Sequence, residues 1–193
     1  MKIVFATNNA HKLQEVSHIL GPGYELLTPR DCGITEDIPE TQATLEGNAM
    51  QKARYIHERT GFDCFADDTG LEVAVLGGAP GVRSARYAGD GHDFEANIDL
   101  LLHNMEVAAD RTARFRTVIA LILGGRKYSF EGEVAGRIIG SREGVGGFGY
   151  DSVFIPDGYD ETFAQMSVGE KNRISHRAKA VAALAEFLGT SRG

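Results

Sequence analysis

The stretch KIVFATNNAHKLQEVSHILGP, Lys2–Pro22, decides the fold class. Lys2 to Ala6 is a short apolar run of strand length. It passes through polar Thr7-Asn8-Asn9 into a helical pattern with Leu13, Val16 and Leu20 on one face, closed by Gly21 and Pro22. Strand, tight loop and helix in that order are the opening of an α/β fold. Working outward, Leu45, Ala49, Ala53 and Ile56 predict a second helix from about Thr41 to Arg59. Phe62 to Ala66 predicts a strand that delivers Asp67 and Asp68 at its C-terminal end. Leu76 to Gly91 is a Gly/Pro-rich loop. Phe94, Ile98, Leu101 and Met105 place a helix over Asp93 to Met105, and Gly124-Gly125 joins two strands, Arg114 to Leu123 and Lys127 to Ile139, into a hairpin. A Gly-rich turn, Gly144 to Gly149, precedes a short strand ending at Pro156, and a helix covers about Ser175 to Leu188. Alternating helices and strands followed by a hairpin imply a mixed sheet.

The chain has 193 residues, 42% hydrophobic and 24% charged, which fits one globular domain or two small lobes around a shared core. Its 27 acidic against 20 basic residues give a net charge of −7. That balance argues against a partner bound through a run of phosphates, such as nucleic acid. It leaves room for one small anion in a locally basic pocket. The longest strongly apolar run, Val118 to Leu123, is far shorter than the roughly 20 residues of a membrane span, and Ile3 to Ala6 is too short for a signal-peptide core. A cytoplasmic protein is expected. Cys32 and Cys64 carry no CxxC pattern and read as free thiols.

Cations stand where a helix dipole disfavours them. Lys12 falls in the first turn of the first helix; Lys171 and Arg173 precede the last helix, and His176, Arg177 and Lys179 occupy its first turns. One reading is a solvated basic surface with Asn9 as N-cap. The sharper one is a polyanion such as a triphosphate held between two helix N-termini by Lys12, Lys171 and Arg177. Adjacent Asp67-Asp68 after an apolar strand is a common way to hold a divalent cation beside phosphate oxygens, and also a common surface turn. Glu40, just before the second helix, has a simple dipole explanation. Gly144-Val-Gly-Gly-Phe-Gly149 satisfies G-x-G-x-x-G, but the strand-like Tyr150 to Pro156 that follows is incompatible with a dinucleotide fingerprint. The loop is better suited to lay Phe148 or Tyr150 flat against a base, with Asp151 at the base edge or bracing the loop. No Walker A loop, HExxH or GxSxG motif is present.

Taken together, TNNAHKLQEV from Thr7, ETQATLEGNAMQKAR from Glu40, FADDTGLEVAVLGGAPGVRSARYAG from Phe65, FGYDSVFIP from Phe148 and EKNRISHR from Glu170 resemble the inosine triphosphate (non-canonical purine nucleoside triphosphate) pyrophosphatase family. Their order and spacing cover essentially the whole chain, with little signature between Glu106 and Ile139. The resemblance implies one domain over residues 1–193, an elongated two-lobed α/β fold with a long mixed sheet flanked by helices and a central substrate cleft, and a homodimer. It implies Mg²⁺-dependent hydrolysis of ITP, dITP and XTP to the monophosphate and pyrophosphate. By position it implies that Thr7, Asn8, Asn9, Ala10, His11 and Lys12 bind the triphosphate, that Lys52 reaches a phosphate, and that Glu40 and Asp68 hold the metal. Asp68 is then the proton acceptor, with Asp67 its acidic neighbour and Thr69 touching substrate. Phe148, Gly149, Tyr150, Asp151, Lys171, His176 and Arg177 enclose the purine. A non-catalytic nucleotide-binding module would need the cations more than the metal acids, so Glu40, Lys52, Asp67 and Asp68 together disfavour it. EKNRISHR and FGYD argue against a Maf-type pyrophosphatase.

Overall fold

The computed structural model describes residues 1–190. Strand β1 (Lys2–Phe5) leads through Thr7–Asn9 into α1 (Ala10–Leu20), which ends at Gly21 with φ +69°. β2 (Glu25–Leu27) pairs parallel with β1. The second helix, α2 (Leu45–Thr60), starts later than the periodicity predicts, because Thr44 caps it by accepting the Gly47 N–H and holds residues 41–44 outside the helix. β3 (Cys64–Val73) pairs parallel with β1 through Val4–Cys64 and Phe5–Phe65. It runs five residues past Asp68, so both acids sit within the strand rather than at its C-terminal end.

Helix α3 (Phe94–Asn104), capped by Asp93, falls within the predicted span Asp93 to Met105. β4 (Thr112–Leu123) and β5 (Arg126–Ile138) are joined by Gly124 and Gly125 alone, at φ +55° and +75°, the positive angles a two-residue hairpin turn requires. β6 (Phe154–Pro156) pairs antiparallel with β5. The six strands form one mixed sheet in the order β2-β1-β3-β4-β5-β6.

The C-terminal region corrects one expectation. A separate helix, α4 (Val168–Ile174), precedes α5 (His176–Thr190). Its start is a capping box, with Ser167 accepting the Glu170 N–H while the Glu170 carboxylate accepts the Ser167 N–H. Lys171 and Arg173 therefore lie in the last turn of a helix, where the dipole favours cations, and only the cations from His176 onward occupy a helix start.

The chain divides into two compact units, one of Met1–Asp68, Thr117–Gly132 and the residues from Arg177 onward, the other of Thr69–Arg116 and Glu133–His176. In the first, Ile3, Phe5, Phe65, Ile119 and Leu121 pack against Val16 and Leu20 of α1 and Val181, Leu184 and Leu188 of α5. Phe5 and Phe65 stack with centroids 4.6 Å apart. On the opposite strand face, the Cys64 thiol donates to the Ala53 carbonyl of α2, whose Ala49, Ala53 and Ile56 are buried. Each face of β3 in this unit is thus covered by helix. Burial pushes the Cys64 thiol up to about 12, and both cysteines are free. The second unit has its own core, built on Leu71, Ile98, Leu101, Met105, Phe115, Phe154 and Phe163. There Gly70 is obligatory in size, since a Cβ would stand 2.6 Å from the Gly81 carbonyl oxygen. Among the described residues no helix is long and apolar enough to cross a membrane.

Candidate active site

Alternation along β3 sorts the two adjacent acids. Side chains two residues apart share a face, so Asp67 points to the side of Phe65, under α1 and α5, and Asp68 to the side of Cys64, under α2. What each acid meets follows from the helix above it. Lys12 of α1 donates to Asp67 Oδ1 at 3.0 Å, and Arg177 of α5 donates to Asp67 Oδ2 at 3.3 Å. Lys52 of α2 lies 3.7 Å from Asp68 Oδ1 and donates to the Glu40 carboxylate.

Protonation preferences then diverge between neighbours. Asp67 is 1% exposed; burial alone would raise its pKa, but Lys12, Arg177 and Lys52 outweigh burial and hold the carboxyl far below the usual range. Asp68 is 7% exposed; here burial prevails over Lys52 and Lys12, Glu40 and Asp67 add repulsion, and the carboxyl sits above its ordinary value. Burial would lower the Lys52 amine, yet Asp68, Glu40 and Asp67 together raise it. Lys12 goes the other way: burial lowers it, Lys52 and Arg177 add to that, and Asp67 recovers only part.

The loop before α1 is also spoken for. Asn9 caps the helix by accepting the His11 and Lys12 N–H groups, and Thr7 Oγ1 accepts the Asn9 N–H. The dipole misplacement of Lys12 is answered by the chain's own Asp67 rather than by solvent. Arg177, 2% exposed, is answered by Asp67 and by Glu15, a residue the sequence did not single out. Burial would lower the Arg177 guanidinium, but these two acids raise it. Glu15 lies three residues after Lys12 on α1, the spacing that puts both on one helix face.

The second unit holds a different group. Lys171, 5% exposed, donates to Asp151 Oδ2 at 2.6 Å, and the same oxygen accepts the Phe148 N–H at 2.9 Å. The Lys171 ammonium stands 5.1 Å from the Phe148 ring centroid, within cation–π range. Gly147 at φ +67° leaves room that a Cβ would take from Asp151 Oδ2, at 2.1 Å. Tyr150 is bound into the fold by donating to the Ser84 carbonyl oxygen at 2.7 Å, and burial raises its phenol. His176 is buried and stacks on Phe115, centroids 4.6 Å apart. Thr69 is half-buried just beyond Asp68 on β3. Thus Lys12, Lys52, Arg177, Glu40, Asp67 and Asp68 come together in the first unit, and Phe148, Asp151 and Lys171 in the second.

Among the described residues no group of three or more His, Cys, Asp or Glu is arranged to hold a metal. Two carboxylates converging on one ammonium, Glu40 and Asp68 on Lys52, do fit an ion that takes one or two protein carboxylates and fills its other positions with water and phosphate oxygens.

A model of the Ham1 family matches residues 3–187. The chain is 54% identical over 188 residues to the dITP/XTP pyrophosphatase of Porphyromonas gingivalis, covering 97% of both. It is 50% identical over 188 residues to that of Christiangramia forsetii, covering 97% of this chain and 99% of the relative. The solved Ham1 protein of Staphylococcus aureus superposes with a TM-score of 0.90 at 38% identity, covering 99% of this chain and all of the other. Sequence match and fold agree over nearly the full length, and the chain belongs to the Ham1 family.

Proposed function

We propose that the protein hydrolyses non-canonical purine nucleoside triphosphates, ITP, dITP and XTP, to the monophosphate and pyrophosphate, removing them from the cytoplasmic nucleotide pool. The observation that carries this reading is the unequal fate of Asp67 and Asp68. One acid is locked in ion pairs with Lys12 and Arg177, while its neighbour keeps a raised proton affinity beside Glu40 and Lys52. A purely binding module has no use for that second acid.

The reaction breaks the bond between the α-phosphorus and its bridging oxygen to the β-phosphate. A water oxygen attacks the α-phosphorus, its proton passes to Asp68, and pyrophosphate departs. Glu40 and Asp68 would hold Mg²⁺, which when bound neutralises phosphate charge and acidifies a coordinated water. Asp68 is suited to accept the proton because burial, with Glu40 and Asp67 nearby, makes it a stronger base than an ordinary carboxylate. Lys52 and Lys12 meet the negative charge that grows on the departing pyrophosphate. The Thr7–His11 segment contributes to the phosphate end. Phe148, Gly149, Tyr150, Asp151, Lys171 and His176, with Thr69, carry recognition of the nucleoside. Phe148 offers a ring face and Lys171 an N–H donor, which a 6-keto purine can use and the 6-amino group of adenine cannot. The enzyme is read as a homodimer, which would elute in size-exclusion chromatography at twice the monomer mass.

Pyrophosphate release with Mg²⁺ from ITP, dITP, XTP, GTP, ATP and dTTP tests the assignment. ITP, dITP and XTP are expected well ahead of the others. Equal turnover of ATP and GTP would sink the substrate assignment, and nucleotide affinity without turnover would indicate a binding module instead.

A further inference from the structure

Residues 40–44 lie back along α2 in antiparallel order. Glu40 meets Lys52, Thr41 meets Gln51, and Gln42 meets Asn48. The Thr41 N–H donates to Gln51 Oε1 at 2.9 Å and Gln51 Nε2 donates to Thr41 Oγ1 at 2.8 Å, a reciprocal pair. The Gln42 N–H donates to Asn48 Oδ1 at 2.8 Å. Gln42 Cβ rests so close to Gly47 that a methyl there would stand 2.7 Å from it. Gly47, Asn48, Gln51 and Lys52 recur at the spacing of one helix face, so α2 presents a continuous track to this strap.

Thr41, Gln42, Ala43 and Thr44 are exposed, so they have no core packing of their own. The backbone immediately after Glu40 is nevertheless tied at two consecutive residues. We propose that Gln51, assisted by Asn48, is a positioning residue for Glu40: it fixes the backbone next to that carboxylate and so sets how well Glu40 and Asp68 together hold a divalent cation. The inference rests on the reading of Glu40 as a metal ligand. Gln51 touches neither substrate nor cation; it acts through Thr41. Groups that orient a metal ligand commonly change affinity by an order of magnitude or more when removed.

The test is direct binding of Mn²⁺, followed by electron paramagnetic resonance of the free ion, on the intact protein without nucleotide. Gln51→Met keeps the volume and helix propensity and removes both hydrogen bonds to Thr41. It is expected to weaken Mn²⁺ about tenfold. It should raise the Mg²⁺ concentration for half-maximal activity in parallel, with kcat at saturating metal within about twofold and the melting temperature unchanged. Thr41→Val, which removes only the Oγ1 contact, is expected to weaken Mn²⁺ about threefold in the wild-type background and not at all on top of Gln51→Met. If Gln51→Met binds Mn²⁺ as wild type does while Glu40→Gln binds it weakly, the positioning role is wrong and the ligand assignment stands. If Glu40→Gln also leaves affinity unchanged, the ligand assignment falls and the positioning role falls with it.

Discussion

Two buried charged groups of this molecule are built differently. In the first unit, Glu15, Glu40, Asp67 and Asp68 share Lys12, Lys52 and Arg177. In the second, Asp151 faces Lys171 beside an aromatic ring. A one-to-one buried pair satisfies itself and fixes geometry. In the first unit two carboxylates converge on one ammonium, since the Lys52 amine donates to Glu40 and lies 3.7 Å from Asp68, whereas Asp67 is met by two cations. The comparison separates a group arranged for charge chemistry from one arranged for shape.

The largest expected effect comes from Asp68, the acid that shares its ammonium with Glu40. Asp68→Asn should lower kcat for ITP by about 10²–10⁴-fold, the usual contribution of a positioned base, with KM changed little. Its stability should be equal or higher. Folding raises the Asp68 pKa, so the folded chain holds that proton more tightly than the unfolded one. Its contribution is favourable only below the unfolded value and is lost as pH rises through the folded value. Above that value the ionised group costs stability, and asparagine removes that cost. A variant with full kcat would show that the burdened acid is not the base.

Asp67→Asn tests the opposite sign one residue away. It leaves Lys12 beside a neutral amide and takes one acid from Arg177, which keeps Glu15, and should cost about 3–5 kcal/mol in urea unfolding at pH 7. Folding depresses the Asp67 pKa, so its stabilisation is present above the unfolded value, near pH 4, and fades as pH falls through the depressed folded value. The gap between wild type and variant should narrow at acid pH. A gap that stays constant there would mean that the loss comes from packing, not charge.

In the second unit, Lys171→Met leaves Asp151 buried with the Phe148 N–H as a donor and without its ammonium. A cost of about 2–3 kcal/mol is expected, smaller than at Asp67 because one cation is lost to it instead of the balance between two. A loss equal to that of Asp67→Asn would erase the distinction between the clusters.

How much of this was legible in the sequence depends on the range over which each contact acts. Lys2 to Leu20 was readable because strand, loop and helix are local patterns, and so was the hairpin at Gly124-Gly125. The sequence reads Asp67 and Asp68 as a strand end because two acids inside an apolar strand have no local justification. Their justification is Lys12 and Arg177 on one face and Lys52 on the other, supplied from 55, 110 and 16 residues away. Glu15 escaped notice for the same reason, since its partner Arg177 is 162 residues distant. The start of α4 was missed although Ser167-Val-Gly-Glu170 is a capping-box pattern; without it, Lys171 read as a misplaced cation before a helix, where it is a favoured one at the end of another. Glu40 had only the family resemblance to recommend it, because the strap that presents it reads as helix by periodicity.

The smallest effect expected is at Phe148, and it bears on what the second cluster is for. The Phe148 backbone is fixed by Asp151, its ring is half-buried, and Phe94 lies 6.1 Å away at a tilt of 45°. The Lys171 ammonium also stands 5.1 Å from the ring centroid, and leucine keeps most of the apolar volume, so Phe148→Leu should change stability little. If the ring stacks on the purine, losing it removes about 1 kcal/mol of stacking, at the low end for one base on one aromatic ring. KM for ITP should then rise about fivefold, with kcat at saturating substrate within about twofold. Asp68→Asn predicts the reverse split, with kcat falling and KM steady. A Phe148→Leu variant that lost kcat instead would mean that the ring helps to place the reacting phosphate, and the contrast between a cluster for charge and a cluster for shape would not hold.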